Sequence, residues 1–178
     1  HGYMELRYLL QEALQNSRET IIKVGREFGE LFGRSYANMF WENRLDDADV
    51  VIVAMGSLAM EAIVAADMLR EAGHKAGVLG LRLFRPFPKT EVARALKKSR
   101  LVVVFDKNIS YGLEGATCSE IKSALYGSSA RAVIRNFIVG LGGRDVKARE
   151  LVDAVNRSLL SAKEGDLTRE YPEWICAI

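Results

Sequence analysis

Four short apolar runs, Asp49–Ala54, Ala76–Leu83, Leu101–Phe105 and Val133–Val139, recur along the chain, and each is followed by a segment with helical spacing. Continuous apolar character, without polar alternation, belongs to strands covered on both faces, so the pattern predicts a mostly parallel sheet between two helical layers. The intervening helices are expected at Ser57–Ala72, Lys89–Lys97, Ala116–Tyr126 and Lys147–Ala162. Gly73 and Gly127 stop the first and third, and Pro88 opens the second at its first turn. Ahead of this core, Leu6, Leu10, Leu14, Ile21, Val24, Phe28 and Phe32 mark a long amphipathic helix over Glu5–Phe32. Gly25 and Gly29 each weaken it by about 1 kcal/mol relative to alanine, so a partner surface has to hold it. Ser35–Arg44 carries Tyr36, Phe40 and Trp41 without a helical face and is assigned to an edge strand. The end of the chain, with Tyr171, Pro172, Trp174 and Ile175, is too apolar for a free terminus and is expected to dock. The resulting division is a linker helix over 1–34, an α/β domain over 35–165 and a docking tail over 166–178.

Length and composition narrow the classes of function. A chain of 178 residues with 49% apolar and 27% charged side chains builds one domain with a sizeable core. A net charge of +2 gives no polyanion signature, and no run reaches the roughly 20 apolar residues of a membrane span. Neither nucleic acid nor membrane is therefore expected as a partner. Cys118 and Cys176 are far apart and lack neighbouring metal-ligand residues, which excludes a zinc or iron–sulfur site built on a cysteine cluster. Reduced thiols in the cytoplasm are the expectation. The start, His1-Gly2, lacks an initiator methionine and runs straight into a helix, so the chain is expected to be part of something larger.

In a parallel sheet the loops after each strand gather at one edge, where ligands and partners are met. Four such loops carry the candidate residues. In the first, Gly56-Ser57 reads as a tight turn with Ser57 capping the next helix, and the free amides there offer an anion site as the alternative. In the second, Arg82-Leu83-Phe84-Arg85-Pro86-Phe87-Pro88, the prolines end the strand and Arg82 and Arg85 point different ways. An interface role for these arginines is favoured over phosphate binding. The third, Asp106 to Gly115, is longer and more polar than packing needs, with Asp106 directly after a buried strand and Asn108 in a turn. The fourth, Gly140-Leu141-Gly142-Gly143-Arg144-Asp145, imitates a dinucleotide fingerprint but ends in Asp145 and follows the last strand. Asp145 is instead assigned as the cap of the last helix, leaving Arg144 exposed and able to pair. His74 lies in a helix-to-strand turn and reads as a surface residue. No Ser-His-Asp order, HExxH or P-loop occurs, so a complete active site within the chain is not expected.

Taken together, Gly56-Ser57-Leu58-Ala59, the arginine-proline run, Asp106-Lys107-Asn108-Ile109-Ser110 and Gly140 to Val146 resemble the α subunit of 2-oxoacid:ferredoxin oxidoreductases, most closely the pyruvate enzymes. The resemblance runs from Tyr3 to Trp174 and matches that subunit's second domain, which is similar to the C-terminal domain of transketolases. It implies five strands, the first antiparallel at an edge. It also implies oxidative decarboxylation of a 2-oxoacid with coenzyme A, giving acyl-coenzyme A, carbon dioxide and reduced ferredoxin. The implied cofactors are thiamine diphosphate, magnesium and iron–sulfur clusters, held by a preceding domain and by other subunits. The implied partners are those subunits, ferredoxin and coenzyme A, with a homo-oligomer as a further option. This segment would then brace the cofactor domains and be inactive alone. Lys107 stands where such subunits usually carry arginine, and Lys147-Ala148 where they often carry Thr-Pro; the first change removes a planar donor fork. A stand-alone flavodoxin-like module that binds a nucleotide or anion through the Gly56 and Gly140 loops is the alternative.

Overall fold

A computed structural model describes residues 2–166 and 169–175. Helix α1 (Gly2–Phe32) is followed by strand β1 (Phe40–Asn43) and then by an alternating series. That series runs β2 (Val50–Met55), α2 (Ser57–Glu71), β3 (Ala76–Leu81), α3 (Lys89–Ala95), β4 (Leu101–Asp106), α4 (Ala116–Leu125), β5 (Val133–Ile138) and α5 (Ala148–Lys163). A single 3-10 turn at Leu141–Gly143 precedes α5, and a short strand β6 (Glu173–Trp174) closes the series.

The strands form one sheet in the order β1-β3-β2-β4-β5-β6. Among the described residues only β1 is antiparallel, with Phe40 opposite Leu81. The two crossovers leave β2 and β4 side by side, and chain direction diverges from this central pair, which makes it a topological switch point. Helices α2 and α5 cover one face through Leu58, Leu69, Leu151 and Val155, which pack on Ile52, Val78, Val103 and Phe105. Helices α3 and α4 cover the other through Val92, the cap residue Leu96 and Ile121 over Val51, Leu79 and Val102. The expected three-layer α/β/α architecture with an antiparallel edge strand is thus present.

The five-strand expectation needs correction to six. The tail that follows α5 does not merely dock; Glu173 and Trp174 pair in parallel with Phe137 and Ile138, and the Ile175 amide donates to the Ile138 carbonyl at 3.0 Å. Leu167, Thr168, Cys176, Ala177 and Ile178 of the expected docking tail lie outside the described residues. The edge strand is also shorter than Ser35–Arg44. Residues 35–37 are taken up by α1 instead: the Tyr36 amide donates to the Gly25 carbonyl, and a Cβ on Gly25 would lie 2.6 Å from the Tyr36 carbonyl oxygen. The glycine that weakens α1 is therefore the point at which α1 crosses the chain. Strand β3 ends two residues early because the Arg82 and Leu83 amides both turn to the Met39 carbonyl, at 2.9 and 3.1 Å.

Only Gly25 of α1 is buried. Its amino-terminal half projects from the domain, with Tyr3, Met4, Leu6 and Tyr8 each more than 60% exposed. No helix of the described residues is long and apolar enough to cross a membrane.

Candidate functional site

The carboxyl ends of β2 and β4 open onto a crevice of about 480 Å³ lined by Met55, Phe84, Asn108, Ile109, Ser110 and Thr117, among others. Asp106, the last residue of β4, lies beneath this crevice and is 1% exposed. Its carboxylate accepts four N–H groups: the Asn108 side-chain amide at 3.1 Å, the Thr117 amide at 3.0 Å, the Cys118 amide at 3.1 Å and the Asn136 side-chain amide at 3.0 Å. Two of these donors open α4, so Asp106 acts as a helix cap from a distance in sequence. Asn136 and Asn108 complete the frame by accepting the Gly115 amide at 2.9 Å and the Ala116 amide at 2.7 Å. A Cβ on Gly115 would fall 2.1 Å from the Asp106 carboxylate, so only glycine admits this approach. The carboxylate that ends this buried strand thus serves architecture. With its lone pairs occupied, Asp106 has none left for a metal or a substrate proton.

The sequence did not single out Asn136, Gly115 or Glu114. Glu114 is 8% exposed and accepts from Ser119 Oγ at 3.0 Å and Lys122 Nζ at 2.5 Å. An available signal was the pair Arg135-Asn136, two polar residues inside an otherwise apolar strand. Arg135 is 2% exposed and its guanidinium donates to the Asp166 carbonyl, which ties the start of the tail to β5. Cys118 is fully buried, and burial, with Glu114 next, pushes its thiol pKa far up, so it is an inert packing residue.

The remaining candidates separate into two groups. Gly56, Asp106 and Gly140 are brought together at the carboxyl edge of the three central strands β2, β4 and β5. Gly56 itself, at φ 64°, is the residue before α2, so Ser57 is the first helical residue and not its cap. Gly140 gives way to Lys107: a Cβ there would sit 2.5 Å from Lys107 Cε, so the lysine stem lies across the glycine. The cap of α5 is Lys147, not Asp145, because the Glu150 carboxylate reaches back to the Lys147 amide at 2.9 Å. Asp145 stays exposed and pairs with Lys147, a hydrogen bond that holds its carboxyl pKa below the usual value. Arg144 pairs with Glu150 at 3.0 Å.

The two arginines of the proline run take separate partners. Arg82 donates to the Asn38 carbonyl at 3.2 Å and stacks over Tyr36 at 5.1 Å, bracing the passage from α1 to β1. Arg85 follows a different path, across Phe84 at 4.2 Å to Glu120 on α4 at 2.5 Å. Both guanidinium groups remain at the surface with their apolar platforms.

Among the described residues no group of three His, Cys, Asp or Glu side chains converges as a metal site. Thiamine diphosphate with magnesium, and iron–sulfur clusters, do not fit the residues described: the best-placed carboxylate is saturated by amides, and the described thiol is buried and protonated.

Fold and site define a doubly wound α/β domain whose loop edge is a hydrogen-bonded frame with exposed apolar side chains. Residues 48–151, the sheet core through the first turn of α5, match the family model of the pyruvate:ferredoxin oxidoreductase core domain II, and the chain belongs to that family. It is 41% identical over 172 residues to the ketoisovalerate oxidoreductase subunit VorA of Pyrococcus abyssi, covering 97% of this chain and 43% of that protein. It is 40% identical over 164 residues to the pyruvate synthase subunit PorA of Methanosarcina barkeri, covering 92% of this chain and 41% of that one. The chain therefore spans about two fifths of the length of these curated relatives. A 2-oxoglutarate:ferredoxin oxidoreductase from Magnetococcus marinus, solved with 2-oxoglutarate, coenzyme A and succinyl-CoA bound, shares the fold at TM-score 0.53 and 18% identity, over 70% of this chain and 20% of that one.

Proposed function

We propose that the chain is the second domain of the α-type subunit of a cytoplasmic 2-oxoacid:ferredoxin oxidoreductase. The complete enzyme oxidatively decarboxylates its 2-oxoacid with coenzyme A to acyl-coenzyme A, carbon dioxide and reduced ferredoxin. Its substrate is pyruvate or a branched acid such as ketoisovalerate, the two acids named for the relatives. Thiamine diphosphate, magnesium and the iron–sulfur clusters are held by other domains and subunits. Residues 1–34 act as the linker helix, 35–165 as the bracing domain and 166–178 as a docking tail.

The observation that carries this reading is the match of the family model to residues 48–151, which hold the four central strands, over a loop edge whose most deeply buried carboxylate, Asp106, is committed to capping α4. Such an edge is built to keep its shape against a neighbour. Phe84, Tyr111 and Leu113 form its apolar part, with Tyr111 90% exposed. The projecting half of α1 extends the same role, since a half-helix with this many exposed apolar side chains gains stability from being covered.

Reconstitution tests the proposal. The chain is combined with the rest of an α-type subunit and its companion subunits, and coenzyme A-dependent viologen reduction is followed with pyruvate and with ketoisovalerate. Activity is expected only in the mixture, and silence from the chain alone. Turnover by the chain alone, or a mixture equally active without it, contradicts the assignment.

A further inference from the structure

The edge opposite the loops just described carries a second concavity, of about 540 Å³. Its floor is apolar: Val50 and Leu101 from the starts of β2 and β4, and Leu159 and Ala162 from the end of α5. Around this floor stand His74, Lys75, Arg100 and Lys163, with Asp49 as the single carboxylate. Asp49 lies 3.5 Å from Arg100, and so offsets one of the cations. Among the described residues His74, Lys75 and Lys163 make no ion pair within 4 Å, and a further carboxylate, Asp47, interacts with the charge of Lys75.

Two features set this concavity apart from an ordinary solvated edge. The backbone beneath it is fixed. The Asp49 and Val50 amides share the Lys75 carbonyl at 2.9 and 3.1 Å, and the Arg100 and Leu101 amides share the Asp49 carbonyl at 2.8 and 3.1 Å. The bases of Lys75, Asp49 and Arg100 are thereby stitched side by side. The helix ends nearby also do not account for the cations. Positive side chains gather at helix C-termini to meet free carbonyls. Here three carbonyls in the last turn of each helix are met by backbone. Ala72, Gly73 and His74 donate to Met68, Arg70 and Leu69 at the end of α2, and Glu164, Gly165 and Asp166 donate to Leu160, Ala162 and Ser161 at the end of α5.

We infer that this amino-edge concavity binds a phosphate ester with an apolar body, the phosphate held by Lys75, Lys163 and His74 and the body laid on Val50, Leu101, Leu159 and Ala162. An apolar floor with a few convergent polar groups, at roughly 300–1,000 Å³, is the usual form of a small-molecule site. The site lies on the opposite edge from the candidate interface and stands or falls independently of the proposed function.

Calorimetric titration of the chain with adenosine 5′-monophosphate at low salt provides the test, with adenosine as the uncharged control. Saturable binding of the monophosphate is expected, absent for adenosine, and weakened roughly tenfold or more by the Lys75→Ala/Lys163→Ala double substitution. Both lysines are exposed, so circular dichroism of the double variant should match the parent. No heat up to millimolar nucleotide overturns the inference. Binding that survives the double substitution but is lost in Lys107→Ala, at the other edge, overturns it equally.

Discussion

Asp106→Ala separates an architectural carboxylate from a chemical one. The substitution leaves the Thr117 and Cys118 amides at the start of α4, and the Asn136 side-chain amide, without their acceptor in a site closed to water. Loss of a helix cap costs about 0.5–2 kcal/mol, and each buried donor left unmet about 1–3 kcal/mol. These contributions share one frame and are not additive, so a net loss of roughly 3–5 kcal/mol is expected. For a chain of this size that corresponds to a midpoint lowered by roughly 6–20 °C. Asp106→Asn keeps the volume but places an N–H against donors, and should fall between parent and alanine variant. Urea and thermal unfolding followed by circular dichroism read both changes. A midpoint for Asp106→Ala within about 2 °C of the parent would refute the frame and return Asp106 to the list of groups held ready for chemistry.

Four further outcomes follow from the same geometry. Arg85→Ala removes a surface pair with Glu120 whose partners are 51% and 27% exposed, so stability should fall by no more than about 1 kcal/mol, checked by urea unfolding, while assembly with companion subunits weakens. Leu6→Asp with Leu10→Asp changes side chains that touch no core, so the midpoint of the chain alone should stay put and co-purification with the remaining subunits should be lost. Asp145 titrates below an ordinary carboxyl because Lys147 donates to it. The contact therefore adds stability above the unfolded value of roughly 4 and loses it as pH falls through the folded value; Lys147→Ala should move the Asp145 midpoint up in an NMR titration. In a Cys176→Ser background, Cys118 should resist a thiol reagent at pH 8 until the chain is unfolded, because burial keeps its thiol protonated.

Much of the sheet was legible because apolar runs of this length, broken by helical spacing, have few other solutions. The four central strands and their helices fall within a few residues of their expected bounds. The misses have local causes. β6 is two residues long and its pairing with β5 is long-range, so nothing in Glu173-Trp174 announces a strand. The shortened β1 reflects the claim of α1 on Tyr36 and Ala37, which shows only as Gly25 in a helix. At the site, the positions of Gly56, Asp106 and Gly140 at one edge followed from the alternation alone. The use made of Asp106 did not, since its role depends on Asn136 from the next strand and on an empty Cβ position at Gly115. Asp145 failed as a cap because Glu150 is placed to accept from the Lys147 amide, an arrangement three residues apart that starts the helix one residue past Lys147.

On the proposed function, the loop edge and the free half of α1 are covered by neighbouring polypeptide in the assembled enzyme. Hydrogen–deuterium exchange of the chain by itself and within the reconstituted oxidoreductase measures this directly. Slower exchange in the assembly is expected at residues 2–16, 82–88 and 108–115, with the amides of β2 and β4 already slow in both. Unchanged exchange in all three segments, with new protection confined to other surfaces, would contradict the account.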